Sequence, residues 1–156
     1  GALTGRRMEE APQFGAIYAK NITAHPEYGI GKWTDGQLAY LLRTGLKPDG
    51  TFLPIMARLP HMSDEDVASI IAFLRSDHVW VQPNETVQPQ TKYSFLAKFI
   101  TNIGGITPAA LPDHNIAEPD TANTVAWGRY IAVAQLECYS CHSADFTTND
   151  MANPEK

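Results

Sequence analysis

The stretch Cys138-Tyr139-Ser140-Cys141-His142 decides how the rest of the chain is interpreted. Two thiols three positions apart can each form a thioether to one vinyl group of the same porphyrin. The histidine that follows is then held beneath the iron, where a ring nitrogen can ligate it. The C-x-x-C-H spacing therefore predicts covalent attachment of haem c through Cys138 and Cys141, with His142 as the proximal ligand of the iron.

Other kinds of site also use a C-x-x-C pair. A thioredoxin-like dithiol follows a strand in a βαβ pattern, and the sequence lacks that pattern. A zinc site needs two more ligands at tight spacing, and the sequence has no second cysteine pair. A structural disulfide between the two cysteines requires no additional residues. A haem-free dithiol or structural module therefore stays open as an alternative to haem attachment.

Helical signals occur throughout the chain. Thr34 precedes one apolar helical face and Gly45 has the position of a C′ glycine, while Ser63 begins a second helix with an acidic first turn. Further helices are predicted over 92–102 and 124–137. The expected fold class is mainly α, with helices around the haem and long loops rich in Gly and Pro. The buried face of the second helix has the i, i+3, i+4, i+7 spacing and consists of Val67, Ile70, Ile71 and Leu74.

A haem c iron usually takes a second axial ligand, often a methionine. Three of the four methionines suit that role poorly, because Met8 lies in polar loop, Met62 precedes a helix cap, and Met151 is too close to His142 in sequence. Met56 lies in a Pro-containing loop between two predicted helices, and such a loop can aim a side chain. A methionine that only packs in the loop is the alternative reading at this point.

Two parts of the chain resemble class I c-type cytochromes. Residues 14–83 are similar to the C-terminal part of such a domain, in particular to multi-haem (dihaem) cytochrome c subunits of bacterial dehydrogenases. Residues 124–146 resemble the beginning of another such domain, with Trp127-Gly128-Arg129-Tyr130 leading to the C-x-x-C-H motif. The matching stretches of the first part are Phe14–Thr23, Gly29–Asp35, Arg43-Thr44-Gly45, Asp49-Gly50, Pro54-Ile55-Met56, Ser63–Asp66 and Ala72–Arg75.

The resemblance implies a cytochrome c-like fold and roles for several side chains. In that family the methionine of the Pro-x-Met element is the distal iron ligand, which implies Met56. The Asn-Ile-Thr and Gly-Ile-Gly-x-Trp elements wrap the haem and its propionates, which implies that Asn21 and Trp33 line the haem, together with Arg43. The metal ligands implied are His142 and Met56.

The order of these elements departs from the family, where C-x-x-C-H comes first and the methionine later. One account is a fragment, in which residues 1–83 end one haem domain, residues 84–123 form a Pro-rich linker with a short helix, and residues 124–156 begin the next domain. In the second account the two pieces complement each other, within one chain or between two chains as a domain swap or dimer, so that Met56 and His142 share one iron.

Composition narrows the function. A formal net charge of −5 argues against a nucleic-acid or anionic-membrane partner, and no apolar stretch approaches the roughly 20 residues of a membrane span. We expect an electron-transfer cytochrome that is not itself an enzyme, with redox proteins such as a membrane-associated dehydrogenase or oxidase as partners. Thioether attachment implies a periplasmic or exported location. The alternatives are a peroxidase-like haem enzyme and the electron-accepting subunit of a dehydrogenase.

Overall fold

A computed structural model describes residues 1–140, 142 and 154. Helices dominate this part of the chain, and the predicted mainly α class is confirmed there. The one sheet among the described residues is a two-stranded antiparallel pair. The helices are α1 (Asp35–Thr44), α2 (Asp64–Leu74), α3 (Phe95–Asn102) and α4 (Thr124–Tyr130), and the strands are β1 (Gly15–Ala16) and β2 (Lys92–Tyr93).

The chain divides into two compact units, each built from two separate stretches. The first unit comprises residues 1–35 and 70–107, and the second comprises residues 36–69 and 108–156. The division into 1–83, 84–123 and 124–156 that the sequence suggests stays a prediction.

In the first unit, residues 1–33 run mostly as loop, as expected from their glycines and prolines. Backbone hydrogen bonds close this loop on itself and onto later residues, for example from Ile30 N to Thr23 O at 2.9 Å and from Ala24 N to Val81 O at 2.8 Å. Strands β1 and β2 pair antiparallel, with Gly15 opposite Tyr93. The buried apolar side chains of this unit are Ile17, Ile30, Ile71, Leu74, Val81 and Ala97.

In the second unit the helix ends follow the sequence signals. Gly45 has φ 77°, and its N–H donates to the carbonyl oxygen of Leu41 at 2.8 Å, which confirms the glycine that ends α1. The Ser63 hydroxyl accepts a hydrogen bond from the Asp66 N–H at 3.1 Å, which confirms the N-cap of α2. The buried apolar side chains of this unit are Leu38, Met62, Val67, Tyr130, Ala134 and Tyr139.

The predicted helix over 92–102 begins later than expected. Lys92 and Tyr93 pair with β1, and the Ser94 hydroxyl then caps α3 by accepting from the Ala97 N–H at 3.2 Å. Phe95 and Phe99 lie on one side of α3 with ring centroids 6.1 Å apart, and they are 82% and 50% exposed.

The predicted helix over 124–137 changes character in its second half. α4 ends at Tyr130, and the chain continues as a π-helical segment over Ile131–Gln135. Asn123 caps α4 by accepting from the Ala126 N–H at 3.1 Å.

Candidate functional site

The C-x-x-C-H segment begins where the helical backbone stops. Glu137 has φ 48°, a left-handed conformation that turns the chain out of the π-helical segment. Cys138–Ser140 then form one 3₁₀ turn, and the His142 N–H donates to the Cys138 carbonyl at 2.8 Å. Cys138 is half-buried and His142 is exposed, while Cys141 lies outside the described residues. Cys138 and His142 therefore lie one turn apart in the same short segment of backbone.

Met56 lies in the loop between α1 and α2 and is half-buried. Its N–H donates to the Leu53 carbonyl at 3.0 Å, and the loop is closed by a hydrogen bond from Leu53 N to Gly45 O at 2.9 Å. Met56 belongs to the same compact unit as Cys138 and His142.

Arg43 fastens the part of this loop that follows Met56. The residue is 4% exposed, and its Nη1 donates to the carbonyl oxygens of Leu59 at 3.2 Å and of Met62. Nη2 donates to Asp64 Oδ1 at 2.5 Å. The described contacts of Arg43 are therefore with its own loop and α2, and its predicted place beside the haem stays a prediction.

Tyr130 connects α4 to the beginning of α2. Its hydroxyl donates to Asp66 Oδ2 at 2.5 Å and accepts from the Ser63 N–H at 2.9 Å. Gln135 Nε2 donates to the same Asp66 oxygen at 2.7 Å. Burial, and then the hydrogen bond to Asp66, raise the pKa of Tyr130, so this hydroxyl keeps its proton at neutral pH.

We use the name Arg58 cluster for four side chains that interact with one another next to Cys138: Arg58, His61, Glu137 and Tyr139. Glu137 and Tyr139 flank Cys138 in sequence, and Tyr139 is buried. The His61 and Tyr139 rings meet edge to face, with centroids 6.4 Å apart. The Tyr139 hydroxyl and the Glu137 carboxylate interact with each other.

Burial and charge shift the ionisation of this cluster. Burial raises the pKa of Glu137, and electrostatic interactions with Arg58 and His61 oppose that shift. Burial and the neighbouring Glu137 carboxylate raise the pKa of Tyr139 to about 12. Burial lowers the pKa of Arg58, which the charge of Glu137 counteracts. The cluster therefore holds a cation and a carboxylate in a partly dry environment beside Cys138.

Gly45 and Phe52 fix the direction of the Arg58 side chain. The guanidinium carbon of Arg58 lies 5.8 Å from the centroid of the Phe52 ring. A Cβ at Gly45 would lie 3.1 Å from Arg58 Cγ, so the glycine leaves room for the aliphatic part of the arginine.

Asn21 and Trp33 lie in the first unit. Asn21 is buried, and its Nδ2 donates to the carbonyl oxygens of Asn84 at 2.8 Å and Thr86 at 3.0 Å. Trp33 is half-buried, and its carbonyl oxygen accepts from Arg75 Nη2. These contacts hold loops together, and the haem-lining roles of both residues stay predictions.

The donor chemistry of the second unit suits haem c. It includes a half-buried thiol, an imidazole one turn further along, a thioether in the loop at Met56 and the Arg58 cation. Among the residues that the structure describes, no group of three His, Cys, Asp or Glu side chains could hold a metal ion by itself. No described helix is long and apolar enough to cross a membrane.

Sequence reasoning did not find the Arg58 cluster or the Tyr130–Asp66 hydrogen bond. The available signals were weak, because Arg58 merely follows Met56 by two positions and Glu137 precedes Cys138. Both contacts join parts of the chain that are far apart in sequence.

No protein-family model matches the chain. It is 28% identical over 140 residues to the cytochrome c subunit of an alcohol dehydrogenase (quinone) from Gluconacetobacter polyoxogenes, which covers 87% of this chain and 30% of the relative. The corresponding subunit from Gluconobacter oxydans (strain 621H) is 29% identical over 145 residues, covering 87% of this chain and 29% of the relative.

A third relative is described as a diheme cytochrome c-type protein, from Cereibacter sphaeroides. It is 29% identical over 133 residues, which cover 83% of this chain and 44% of that protein. The chain thus spans less than half the length of these relatives. These similarities confirm the resemblance to c-type cytochromes and to cytochrome c subunits of bacterial dehydrogenases.

Proposed function

We propose that this chain is an electron-carrying part of a c-type cytochrome, with haem c attached at Cys138 and Cys141. The observation that carries the proposal is the backbone of the motif, in which the His142 N–H bonds to the Cys138 carbonyl at 2.8 Å. This hydrogen bond places Cys138 and His142 one turn apart, which supports attachment and ligation of the same haem. A bound haem supplies a one-electron iron couple.

Met56 is the distal ligand in this proposal, and we place it on the same iron as His142. Support comes from the second unit, which contains both residues. The Tyr130–Asp66 hydrogen bond and the Arg58 cluster also join residues 52–66 to residues 130–139 within that unit. The stretch around Met56 thereby complements the stretch that carries the cysteines.

The partner in this proposal is a dehydrogenase that delivers electrons to the haem. The two alcohol dehydrogenase relatives are cytochrome c subunits by name. The chain spans about 30% of those subunits, so the identity of the dehydrogenase and its substrate are part of the proposal. Thioether attachment would take place after export, so the proposed location is the periplasm or the outer surface.

The test is a pyridine haemochrome assay on the chain produced in a host that attaches haem c. The unchanged chain is expected to give the bands of a haem with two thioethers, and Cys138→Ala the shifted bands of a haem with one. Ser140→Ala is the matched control, because it changes the same turn without removing a thiol. Absence of c-type bands in the unchanged chain would leave only a haem-free dithiol or structural module.

The visible spectrum separates the carrier from the peroxidase-like alternative. A carrier in which Met56 and His142 both ligate the iron is expected to be six-coordinate and low-spin. A high-spin ferric spectrum at neutral pH would indicate an open coordination position, and would favour the haem enzyme.

A further inference from the structure

Helix α3 exposes large apolar side chains on one of its sides. Phe95, Leu96, Phe99 and the C-cap residue Ile103 are 82%, 45%, 50% and 65% exposed, and we call these four side chains the α3 face. With about 3.6 residues per turn, their positions fall within about a third of the circumference of the helix. Ala97 lies on the opposite side and is 2% exposed. The helix is therefore packed through its opposite side, and its large side chains point outward.

The beginning of α3 is fastened to the first unit. The Ser94 N–H donates to the Phe14 carbonyl at 2.9 Å, and the Ser94 hydroxyl donates to the Gln13 carbonyl at 2.8 Å. Lys92 and Tyr93, just before the helix, pair with β1. These bonds fix which side of α3 is buried. Contiguous apolar side chains that a fold holds at its surface are typical of a site that binds another molecule.

The charged side chains of this segment favour an anionic partner. Lys92 and Lys98 are exposed, and the sequence has no Asp or Glu between Glu85 and Asp113. The cations of this segment therefore have no acidic neighbour in sequence, and both lie on or directly before the helix that carries the α3 face.

The acids closest in sequence to the turn that packs against α3 are paired. The 3₁₀ turn Pro12–Phe14 contacts α3, and it follows Glu9 and Glu10 in the chain. Glu10 forms an ion pair with Arg6 at 2.5 Å, and Glu9 lies 3.5 Å from Arg7. These two carboxylates are therefore balanced by two arginines.

The first unit as a whole is not acidic. It contains seven Lys and Arg residues and six Asp and Glu residues, a formal net charge of +1, so the net charge of −5 originates in the second unit. Salt screens interactions between exposed charges beyond about 8–10 Å under physiological conditions. The net charge of the whole chain therefore does not exclude an anionic surface as the partner of the α3 face.

A bilayer surface fits these properties better than another protein. A stable protein–protein interface buries about 800 Å² on each partner, more than four partly exposed side chains of one short helix supply. A bilayer surface sets no such minimum, and it presents acyl chains beneath a layer of phosphate groups. α3 has eight residues and is about 12 Å long, so it can lie along a bilayer but cannot cross it.

We propose that the α3 face binds the surface of a bilayer that contains anionic phospholipids. Its four apolar side chains enter the boundary between head groups and acyl chains, while Lys92 and Lys98 contact lipid phosphates. This proposal does not depend on haem attachment.

Flotation of the full chain with vesicles of phosphatidylglycerol and phosphatidylcholine tests the proposal. We expect the unchanged chain to bind these vesicles, and Phe95→Ser/Phe99→Ser to bind them at least about tenfold more weakly. Val79→Ser/Val125→Ser is the matched control, because it removes two exposed apolar side chains outside α3, and it is expected to bind like the unchanged chain. Since all four substituted side chains are exposed, thermal unfolding in buffer is expected to be the same for the three chains.

Two lysine variants test the electrostatic part of the binding. Lys98→Gln is expected to weaken binding to the mixed vesicles about fivefold, the usual contribution of one lysine near anionic lipid, and to leave binding to pure phosphatidylcholine unchanged. Lys32→Gln removes an exposed lysine of the same unit outside α3 and is expected to weaken binding less than about twofold. Equal effects of the two variants would show that only the total charge matters, which would contradict contact between Lys98 and lipid.

A fluorescent side chain locates the part of the chain that meets the lipid. Vesicles with brominated acyl chains are expected to quench the additional emission of Phe95→Trp, and to leave the additional emission of Val125→Trp unchanged. Equal quenching of the two variants would contradict insertion through the α3 face.

Equal binding by the unchanged chain and Phe95→Ser/Phe99→Ser would overturn the proposal, as would no binding of the unchanged chain to the mixed vesicles. Dimerisation of the unchanged chain in sedimentation velocity, abolished by the same double variant, would also overturn it, because a second copy would then cover the α3 face. Failure of the proposed function has a separate signature, the absence of c-type bands in the haemochrome assay, which vesicle binding does not affect.

Discussion

The hydroxyl oxygen of Tyr130 lies 2.5 Å from Oδ2 of Asp66, and this hydrogen bond joins the end of α4 to the first turn of α2. The same hydroxyl oxygen accepts from the buried Ser63 N–H at 2.9 Å. One phenol therefore satisfies a backbone donor and a carboxylate that belong to the cap of α2. The contact spans residues far apart in sequence, so it contributes directly to the integrity of the second unit.

Tyr130→Phe is expected to lower the free energy of unfolding by about 1–3 kcal/mol, because the Ser63 N–H loses its acceptor in a buried position. Urea unfolding followed by circular dichroism measures the change. Tyr28→Phe removes the hydroxyl of an exposed tyrosine and is the matched control. Equal free energies of unfolding of the two variants would show that the hydroxyl of Tyr130 does not contribute to stability and that only its ring does.

Arg43→Lys is expected to destabilise the chain by about 2–4 kcal/mol in the absence of haem. A lysine ammonium cannot reproduce the planar fork that donates to Leu59, Met62 and Asp64, and buried carbonyl oxygens would lose their donors. Thermal unfolding without added haem gives the comparison.

Arg129→Lys, the same change at an exposed position, is expected to stay within about 0.5 kcal/mol of the unchanged chain. If Arg43→Lys is stable without haem but retains haem less well, the prediction that Arg43 stabilises the loop before α2 is wrong. Its predicted haem-lining role is then favoured.

Local sequence signals predicted the ends of α1 and α2. The predicted beginning of α3 differs from the structure because it depends on pairing with a distant strand. The Ser63 cap and the Gly45 terminus each depend on residues within four positions, so the sequence alone indicates them. The beginning of α3 depends instead on Lys92, which pairs with Ala16 in β1 and leaves the helix. Single-sequence periodicity carries no information about such a distant partner.

The same distinction applies to the candidate site. The C-x-x-C-H motif is local, and its spacing alone predicts the roles of Cys138 and His142. The contact of the His61 ring with Tyr139, beside Cys138, requires the chain to return to the loop after α1, and no spacing indicates that return. A side-chain cluster of this kind is found only once the fold is known.

Gly29→Ala is expected to destabilise the first unit by about 2–4 kcal/mol, because a Cβ at this position would overlap the Thr23 carbonyl oxygen. Gly128→Ala provides the opposite case. Nothing lies within 4 Å of a Cβ at Gly128, which is in α4, so alanine is expected to stabilise the helix by about 0.5–1 kcal/mol. Denaturant unfolding of both variants checks the two signs. A neutral Gly29→Ala would mean that the loop around Thr23 is free to move away.

Glu137 gives the stability of the chain a dependence on pH. Burial raises its folded-state pKa above the unfolded value, so between those two values the folded state binds more protons. The stabilisation is fully present below the unfolded pKa and is lost as the pH rises through the folded pKa. The free energy of unfolding of the unchanged chain is therefore expected to fall over that window.

Glu137→Gln removes this dependence. The free energy of unfolding of the variant is therefore expected to rise relative to that of the unchanged chain as the pH goes from about 4 to 7. Urea midpoints measured across that range give the profile. Glu118→Gln, at an exposed position, is expected to keep the profile of the unchanged chain. A constant difference between Glu137→Gln and the unchanged chain would show that the folded state does not favour the protonated carboxyl.

Met56→Leu tests whether one iron is shared by His142 and Met56 in a single chain. A thioether ligand raises the reduction potential of a haem iron, so its removal from the covalently loaded chain is expected to lower the potential. We expect a decrease of more than about 59 mV, a tenfold change in the one-electron equilibrium. Met62→Leu is the matched control, because Met62 is a buried methionine of the same unit. Potentiometric titration compares the variants, and an unchanged potential in Met56→Leu would separate Met56 from the haem at Cys138.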